Sequence, residues 1–566
     1  MAADLSEVVI AGQGLLSAYG AGVDVCADGL FAGRPACRPA GAGYPPELAG
    51  LPVGMIPAPA DAAAPDEPLL DQMIRLFDGA PPLPADAALF VGTTAGEIGL
   101  LEREVLDATP PSDRSHLSQL PRRLAEALGL RTTDRQVVSS ACASSSAALA
   151  LAASAIRRGA CSCALVVGGD RVSEFTLSGF AALMALDPAG ARPFDARRRG
   201  TMLGGAAAYA LLMSRGRARR EGRPCLGVVG GWGLTCDANH LTGPSRDGAP
   251  LAEAIRQALR MAACPPEAVS ALAAHGTGTV YNDQMELLAF TRVFGAPRPL
   301  FSVKGGMGHT LGAAGLAGAL LGLEALRRGR IPPTVGLEQV AAEARGWAAT
   351  AAVPVSPDGV VLTTAAGFGG VNAALALALS SVPGAGSAAA PVTGAAGEAV
   401  EPGPDAGRPR HTDRFSAGTQ RACEAVARAL ADAGFGTPCR GSRIGIIACD
   451  REGSAAANRA YFSDYVASGR KLGRGQLFAA TLPTSVAAAC AIALRLRGPL
   501  LAVAEPGGGD GAARRAAEGL LAEGLADAIV LLDAAGTRVA ARVLAPTGRP
   551  PATVPPAAPH VEEASA

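Results

Sequence analysis

Four short segments of this 566-residue chain carry the residue types that thioester chemistry needs. Ser139-Ser-Ala-Cys-Ala-Ser-Ser-Ser146 supplies Cys142, Ala274-His-Gly-Thr-Gly-Thr279 supplies His275, and Val303-Lys-Gly-Gly-Met-Gly-His309 supplies Lys304 and His309. Gly367-Phe-Gly-Gly-Val-Asn372 follows downstream. Each lies in a turn rich in glycine or small residues, where a side chain can face a cavity and backbone N–H groups stay free for an anion.

Cys142 follows the apolar run Gln136-Val-Val and precedes the helix former Ala147–Ile156, which predicts a strand-to-helix turn. A thiol there feels the positive end of the helix dipole, so the pattern predicts a lowered pKa and a thiolate able to attack a thioester carbonyl. The alternative for any one cysteine is an inert buried thiol. The two histidine turns weigh against it.

His275 and His309 are two of six histidines, and both sit among glycines rather than on an apolar stripe. Neutral imidazoles presenting two Nε2–H groups to one oxygen would stabilise an enolate, the species left when a malonyl thioester loses CO₂. Asp283 and Glu286, three apart at a helix start, share a face and can point at one cation, for which Lys304 is the candidate. A solvated acidic pair is the alternative reading.

These turns need a layered scaffold. From about 7 to 380, short β-like runs such as Val8–Ala11, Ala88–Gly92, Ala164–Val167, Ala206–Met213, Gly227–Gly230 and Val360–Thr363 alternate with Ala-rich helical stretches at 143–158, 251–262, 284–294 and 311–328. Such alternation predicts an α/β fold with helix-covered sheets. Residues 384–409, rich in Ala, Gly and Pro without periodicity, predict a flexible linker; 410–545 a second globular segment; and 546–566 a disordered tail. The second segment echoes the first. Ala528–Ala534 repeats the pattern of Ala164–Asp170 at an offset of 364 residues, which sets Pro506 where Cys142 stands, so the echo has no nucleophile.

Composition bounds the partners. Lys+Arg and Asp+Glu both number 50, which removes the global charge that nucleic acid or an anionic membrane would call for. Twelve cysteines without CxxC pairs predict a reduced, cytoplasmic protein with no metal site. No apolar run is long enough to span a bilayer and no basic-plus-apolar leader opens the chain, which predicts a soluble protein.

Taken with Arg192-Pro-Phe-Asp195, Asp237-Ala-Asn-His-Leu-Thr242 and Ile331-Pro-Pro-Thr334, the four segments resemble the β-ketoacyl-acyl-carrier-protein synthases of the Cys-His-His type, in the thiolase superfamily. The resemblance covers 5–380. It implies a duplicated five-layer αβαβα fold, with halves at 1–250 and 251–383, followed by a degenerate half of the same kind at 410–545. It further implies that Cys142 accepts the acyl group, that His275 and His309 serve decarboxylation and condensation, and that Lys304 pairs with Asp283 and Glu286. The N–H groups of Cys142 and Phe368 would form an oxyanion hole, with the Phe368 ring gating the acyl pocket. Thr277, Thr279, Gly369 and Gly370 would contact a phosphopantetheine arm.

The implied activity is decarboxylative condensation of an acyl thioester with malonyl on a separate acyl-carrier protein, without a cofactor, in type II fatty-acid, polyketide or polyene synthesis. The implied assembly is a homodimer or a heterodimer with another ketosynthase-like subunit. Arg197, Arg198 and Arg199, with Arg75, form the candidate basic patch for the acidic carrier, a solvated arginine run being the alternative. Two sites depart from the family pattern: Gly204-Gly-Ala-Ala207 lacks the usual acid, and Ala366 replaces a phenylalanine beside the gate. A non-catalytic chain-length-factor-like subunit and a ketosynthase-like acyltransferase are the competing functions. A coenzyme A thiolase would need a second cysteine where Gly367-Phe-Gly-Gly stands.

Overall fold

The computed structural model describes residues 7–59, 67–381, 394–396, 415–435, 443–534 and 539–546. Fifteen strands of its sixteen-stranded sheet repeat one five-strand pattern three times, and the sixteenth, Gly20–Ala21, is a two-residue strand paired with the end of the first. The first unit holds β1 (Val8–Ser17), β2 (Ala88–Gly92), β3 (Arg135–Ser139), β4 (Cys163–Asp170) and β5 (Ala206–Ser214). The second holds β6 (Gly227–Cys236), β7 (Val269–Ala273), β8 (Leu300–Phe301), β9 (Val360–Gly367) and β10 (Val371–Ala378). The third holds β11 (Gly394–Ala396), β12 (Ile444–Ala448), β13 (Leu500–Ala504), β14 (Ala528–Asp533) and β15 (Ala540–Pro546).

In every unit the spatial order is third, second, fourth, fifth, first. The second strand pairs in parallel with the third and fourth, and the fifth pairs antiparallel with the fourth and first. Units one and two meet first strand to first strand, β1 antiparallel to β6. Units one and three meet third strand to third strand, with Val137, Val138 and Ser139 of β3 opposite Ala504, Val503 and Ala502 of β13.

Strands covered on both faces read as unbroken apolar runs, which is the composition of β5, AAAYALLMS, and β10, VNAALALA, every residue of which is buried. The central layer consists of the helices Ser144–Arg157 and Ala314–Arg327, packed on each other between the sheets of units one and two. Small residues permit this closeness: a Cβ at Gly92 would lie 2.6 Å from the Cα of Ser145, and one at Gly315 2.0 Å from the Ser146 hydroxyl. The outer layers are Leu69–Arg75 with Gln119–Ala127 on unit one, and Ala249–Met261 with Val280–Phe294 on unit two. The five expected layers are present. No helix of the described residues is long and apolar enough to cross a membrane.

Two boundaries move. The division expected at 250 falls before Gly227, because β6 is already the first strand of unit two. The stretch read as linker contains β11, the first strand of unit three, paired with β15. The rest of 384–409 and residues 547–566 lie outside the described residues.

Unit three packs against unit one. Its helix Gly511–Ala522 contacts Ser144–Arg157 across the β3–β13 junction, and Trp232 of β6 donates from Nε1 to Glu523 at 2.9 Å. An aromatic cluster seals the other side: the Phe175 ring lies 5.1 Å from Tyr461 and 5.9 Å from Phe478, and the buried Ser178 and Tyr461 hydroxyls are 2.8 Å apart. Gly179 makes room for it, since a Cβ there would stand 2.2 Å from the Phe478 ring.

Candidate active site

The turn between β3 and the helix Ser144–Arg157 carries Cys142, 6% exposed. Ala141 takes a left-handed φ of +46°, and the Ser144 hydroxyl pins the turn by accepting from Ser140 N–H at 2.9 Å and donating to Ala141 C=O at 2.5 Å. The bend sets the Cys142 Sγ 3.0 Å from His309 Nε2. The lowered thiol pKa expected from the helix dipole is not found. Burial pushes the Cys142 thiol up to about 12, with the Lys304 charge opposing this only in part. Free thiolate is therefore scarce, and His309 Nε2 stands within hydrogen-bond reach of the thiol.

His275 and His309 face each other with ring centroids 5.3 Å apart and nearly perpendicular. Burial and the Lys304 charge hold both well below the usual imidazole range, so both rings are neutral. The Lys304 ammonium donates to the His275 carbonyl and to its Nδ1, at 3.2 Å for the latter, which leaves the proton of the neutral ring on Nε2. His309 Nδ1 has no protein partner among the described residues, so its ring is free to accept or to donate at Nε2.

The expected pairing of Lys304 with Asp283 and Glu286 takes a different form. No carboxylate of the described residues lies within ion-pair distance of the ammonium. Glu286 accepts from the N–H groups of His275 and Gly276 at 2.7 and 2.8 Å and from the Thr364 hydroxyl at 2.5 Å. Asp283 accepts from the N–H groups of Thr277, Gly278 and Phe194 and faces Arg198 at 3.6 Å. Backbone donors of the glycine turn outcompete the more distant ammonium because a buried N–H without an acceptor is costly. The carboxylates hold the histidine turn in shape, and through their charge they offset part of the burial that lowers Lys304 to about 8.

The Phe368 turn abuts Cys142. A Cβ at Gly367 would lie 2.9 Å from the Cys142 nitrogen, so glycine there brings the Phe368 and Cys142 backbones together. The Phe368 ring stacks on Phe180 at 5.5 Å. Gly369 and Gly370 adopt φ of +83° and +76° and spend backbone groups on the turn, Gly369 N–H to Leu241 C=O and Gly370 C=O from Asp237 N–H. Thr277 and Thr279 have their hydroxyls 2.9 Å apart, and exposed Val280 and Tyr281 follow them.

A cavity opens beside Cys142 and Phe368, walled by Phe175 and Phe180 of unit one and Leu311 of unit two. Its remaining wall comes from unit three: Asn458, Phe478, Thr481 and Leu482. Sequence reading did not find these four. They lie within 410–545, the stretch read as a degenerate half, but only the β3–β13 pairing reveals that they stand beside Cys142.

Each arginine of the expected basic patch is paired with a carboxylate. Arg198 is 6% exposed and bonded to Glu343 and to the Asp195 carbonyl, Arg197 is bonded to Asp195 and Glu338, and Arg75 is bonded to Glu67. Arg197 and Arg199 are exposed, and Arg199 reaches Asp187 at 3.3 Å. Neighbouring carboxylates neutralise the run, which the arginine count alone does not reveal.

Family models described as beta-ketoacyl synthase, N-terminal domain, and beta-ketoacyl synthase, C-terminal domain, match residues 78–218 and 226–338. An oxytetracycline polyketide beta-ketoacyl synthase of Streptomyces rimosus is 33% identical over 251 residues, 43% of this chain and 59% of the relative. The chain spans less than two thirds of the length of the curated relatives it matches. Among solved structures, the ishigamide ketosynthase/chain length factor is similar with a TM-score of 0.59 and 31% identity, over 66% of this chain and 99% of that one. The PfaC ketosynthase–chain length factor shares the fold at a TM-score of 0.75 and 16% identity, over 96% of this chain and 79% of that one.

Proposed function

Because the chain belongs to the β-ketoacyl synthase family of the thiolase superfamily, we propose that it catalyses carbon–carbon bond formation in polyketide-type synthesis, on substrates delivered by a separate acyl-carrier protein. The observation that carries this reading is the 3.0 Å approach of His309 Nε2 to Cys142 Sγ with the neutral His275 ring alongside. His309 takes the Cys142 proton as sulfur attacks the acyl thioester carbonyl, and returns it to the departing carrier thiol. Malonyl on a second carrier then loses CO₂. The His275 and His309 Nε2–H groups stabilise the enolate, whose carbon attacks the Cys142 thioester; the 3-ketoacyl product stays on the second carrier and Cys142 is released. The N–H groups of Cys142 and Phe368 stabilise the tetrahedral oxyanions, and Thr277 and Thr279 line the approach of the phosphopantetheine arm.

Unit three we read as a chain-length-factor-like part carried in the same chain. The likeness to ketosynthase–chain length factor structures and the four cavity residues from unit three support this. The alternative in which the whole chain is non-catalytic is disfavoured by the intact Cys142, His275 and His309 constellation.

The histidines separate the steps experimentally. His275→Ala should acylate Cys142 at close to the normal rate while losing about 10²–10³ in malonyl decarboxylation. His309→Ala should lose about 10²-fold in both, because it also serves the thiol. Intact-protein mass and CO₂ release measure the two steps. Equal effects of the two substitutions on acylation in folded protein would contradict these roles.

A further inference from the structure

Asn458 stands out in the cavity beside Cys142. It lies in the first turn of the helix Ala455–Ala467 of unit three and is 7% exposed. Its Nδ2 donates to Gly453 C=O at 3.2 Å, which fixes the orientation of the amide, and its Oδ1 is buried with no partner among the described residues. The other polar side chains of the lining are occupied: the Thr481 hydroxyl donates to Phe478 C=O, the Thr176 hydroxyl to Ser173 C=O and the Thr94 hydroxyl to Ala141 C=O. Around them the walls are the aromatic and aliphatic side chains of Phe175, Phe180, Phe368, Phe478, Leu311 and Leu482.

A buried amide oxygen in an apolar wall is unfavourable unless a donor meets it. A saturated or olefinic acyl chain has no donor, and a ketone is itself an acceptor. We propose that the acyl group held in this cavity carries a hydroxyl, and that Asn458 Oδ1 of unit three selects for it by accepting its hydrogen bond. This deepens the reading above and rests on it: unit three contributes a polar criterion to substrate choice as well as an apolar wall. A pocket built to bond a hydroxyl discriminates against the analogue that lacks it, since the protein acceptor is then left unpaired.

The test uses the full-length protein and acyl thioesters of N-acetylcysteamine. Hexanoyl is compared with the four hexanoyl isomers bearing one hydroxyl on carbon 3, 4, 5 or 6, and kcat/KM for acylation of Cys142 is read by intact mass. At least one hydroxylated member should be preferred about ten-fold over hexanoyl, the factor expected of one neutral hydrogen bond. In Asn458→Leu the ratio of kcat/KM for that hydroxylated member to kcat/KM for hexanoyl should fall to about one, the ratio being taken within the variant so that any general change in transfer cancels. If no hydroxylated member is preferred, or if the preference survives in Asn458→Leu, the proposal is overturned while hexanoyl transfer still upholds the synthase reading. If hexanoyl and every isomer leave Cys142 unmodified in folded protein, both fall together.

Discussion

Cys142, His275 and His309 were legible as a set because each sits in a glycine- or small-residue turn that has little reason to exist except to present a side chain. Their protonation was not legible. The dipole argument treats Cys142 as a surface thiol, but at 6% exposure desolvation dominates and raises the thiol pKa to about 12. It follows that a general alkylating agent will not single out this residue. At neutral pH, iodoacetamide should modify exposed Cys225 first, and labelling of Cys142 should climb with pH as thiolate forms. Peptide mass mapping across pH 7–10 checks this, and rapid labelling of Cys142 at pH 7 would refute the buried-thiol account. Asp283 and Glu286 act on Lys304 through their charge while their hydrogen bonds go to the backbone of the histidine turn, because i, i+3 spacing says which side chains share a face and nothing about the backbone donors waiting there. The neutralisation of Arg197 and Arg198 is illegible for a related reason: their partners Glu338 and Glu343 lie 141 and 145 residues away in sequence.

At the scale of elements, the strands that position the site were readable from apolar runs bounded by turns, and Ala88–Gly92 matches to the residue. The helix expected at 311–328 divides into a short 3₁₀ turn, Leu311–Ala313, and the helix Ala314–Arg327. What sequence could not supply was the antiparallel seam of β3 and β13, whose partners lie some 365 residues apart. That seam has an electrostatic signature. Glu523, at the end of the helix Gly511–Ala522, is half-buried with its carboxyl against Trp232, Ser154, Arg157 and Arg158, and desolvation raises that carboxyl to about 7 despite the nearby arginines. A carboxyl whose folded pKa is raised binds its proton more tightly folded than unfolded. Its stabilising contribution is complete below about pH 4.5 and is lost as pH rises through 7. Glu102, which accepts from Phe175 N–H behind the aromatic cluster, is raised to about 7 in the same direction. Glu523→Gln should therefore raise the melting temperature by a few degrees at pH 8 and leave it nearly unchanged at pH 4.5, measured by scanning calorimetry. A gain that is the same at both values would show that Glu523 is not protonated in the fold.

For the whole molecule, the third unit explains both its own incompleteness and the shape of the site. In unit one the helix Ser144–Arg157 is buried on every side; at the repeat offset of 364 residues, its Ala150, Leu151 and Ser154 become Arg514, Arg515 and Glu518, which sit on the outer face of the helix Gly511–Ala522. Charge has replaced the apolar surface that a second half would cover, so unit three is a half built to stand without its complement. In return it closes the β3 edge and supplies the fourth wall of the cavity. Removing residues 415–546 should expose that edge together with Phe175 and Phe180, and light scattering should report self-association or aggregation; a monodisperse, fully active truncated protein would deny unit three this role. The central claim, that one chain presents a working Cys-His-His site, has a direct test. The protein is incubated with an acyl thioester and then with malonyl on an acyl-carrier protein, and both proteins are weighed by mass spectrometry. The account predicts an acyl adduct on Cys142 that disappears as a 3-ketoacyl chain, two carbons longer, appears on the carrier, with none of this in Cys142→Ala. Folded protein that forms no Cys142 adduct and no 3-ketoacyl carrier, or a Cys142→Ala variant that still forms the product, would contradict it.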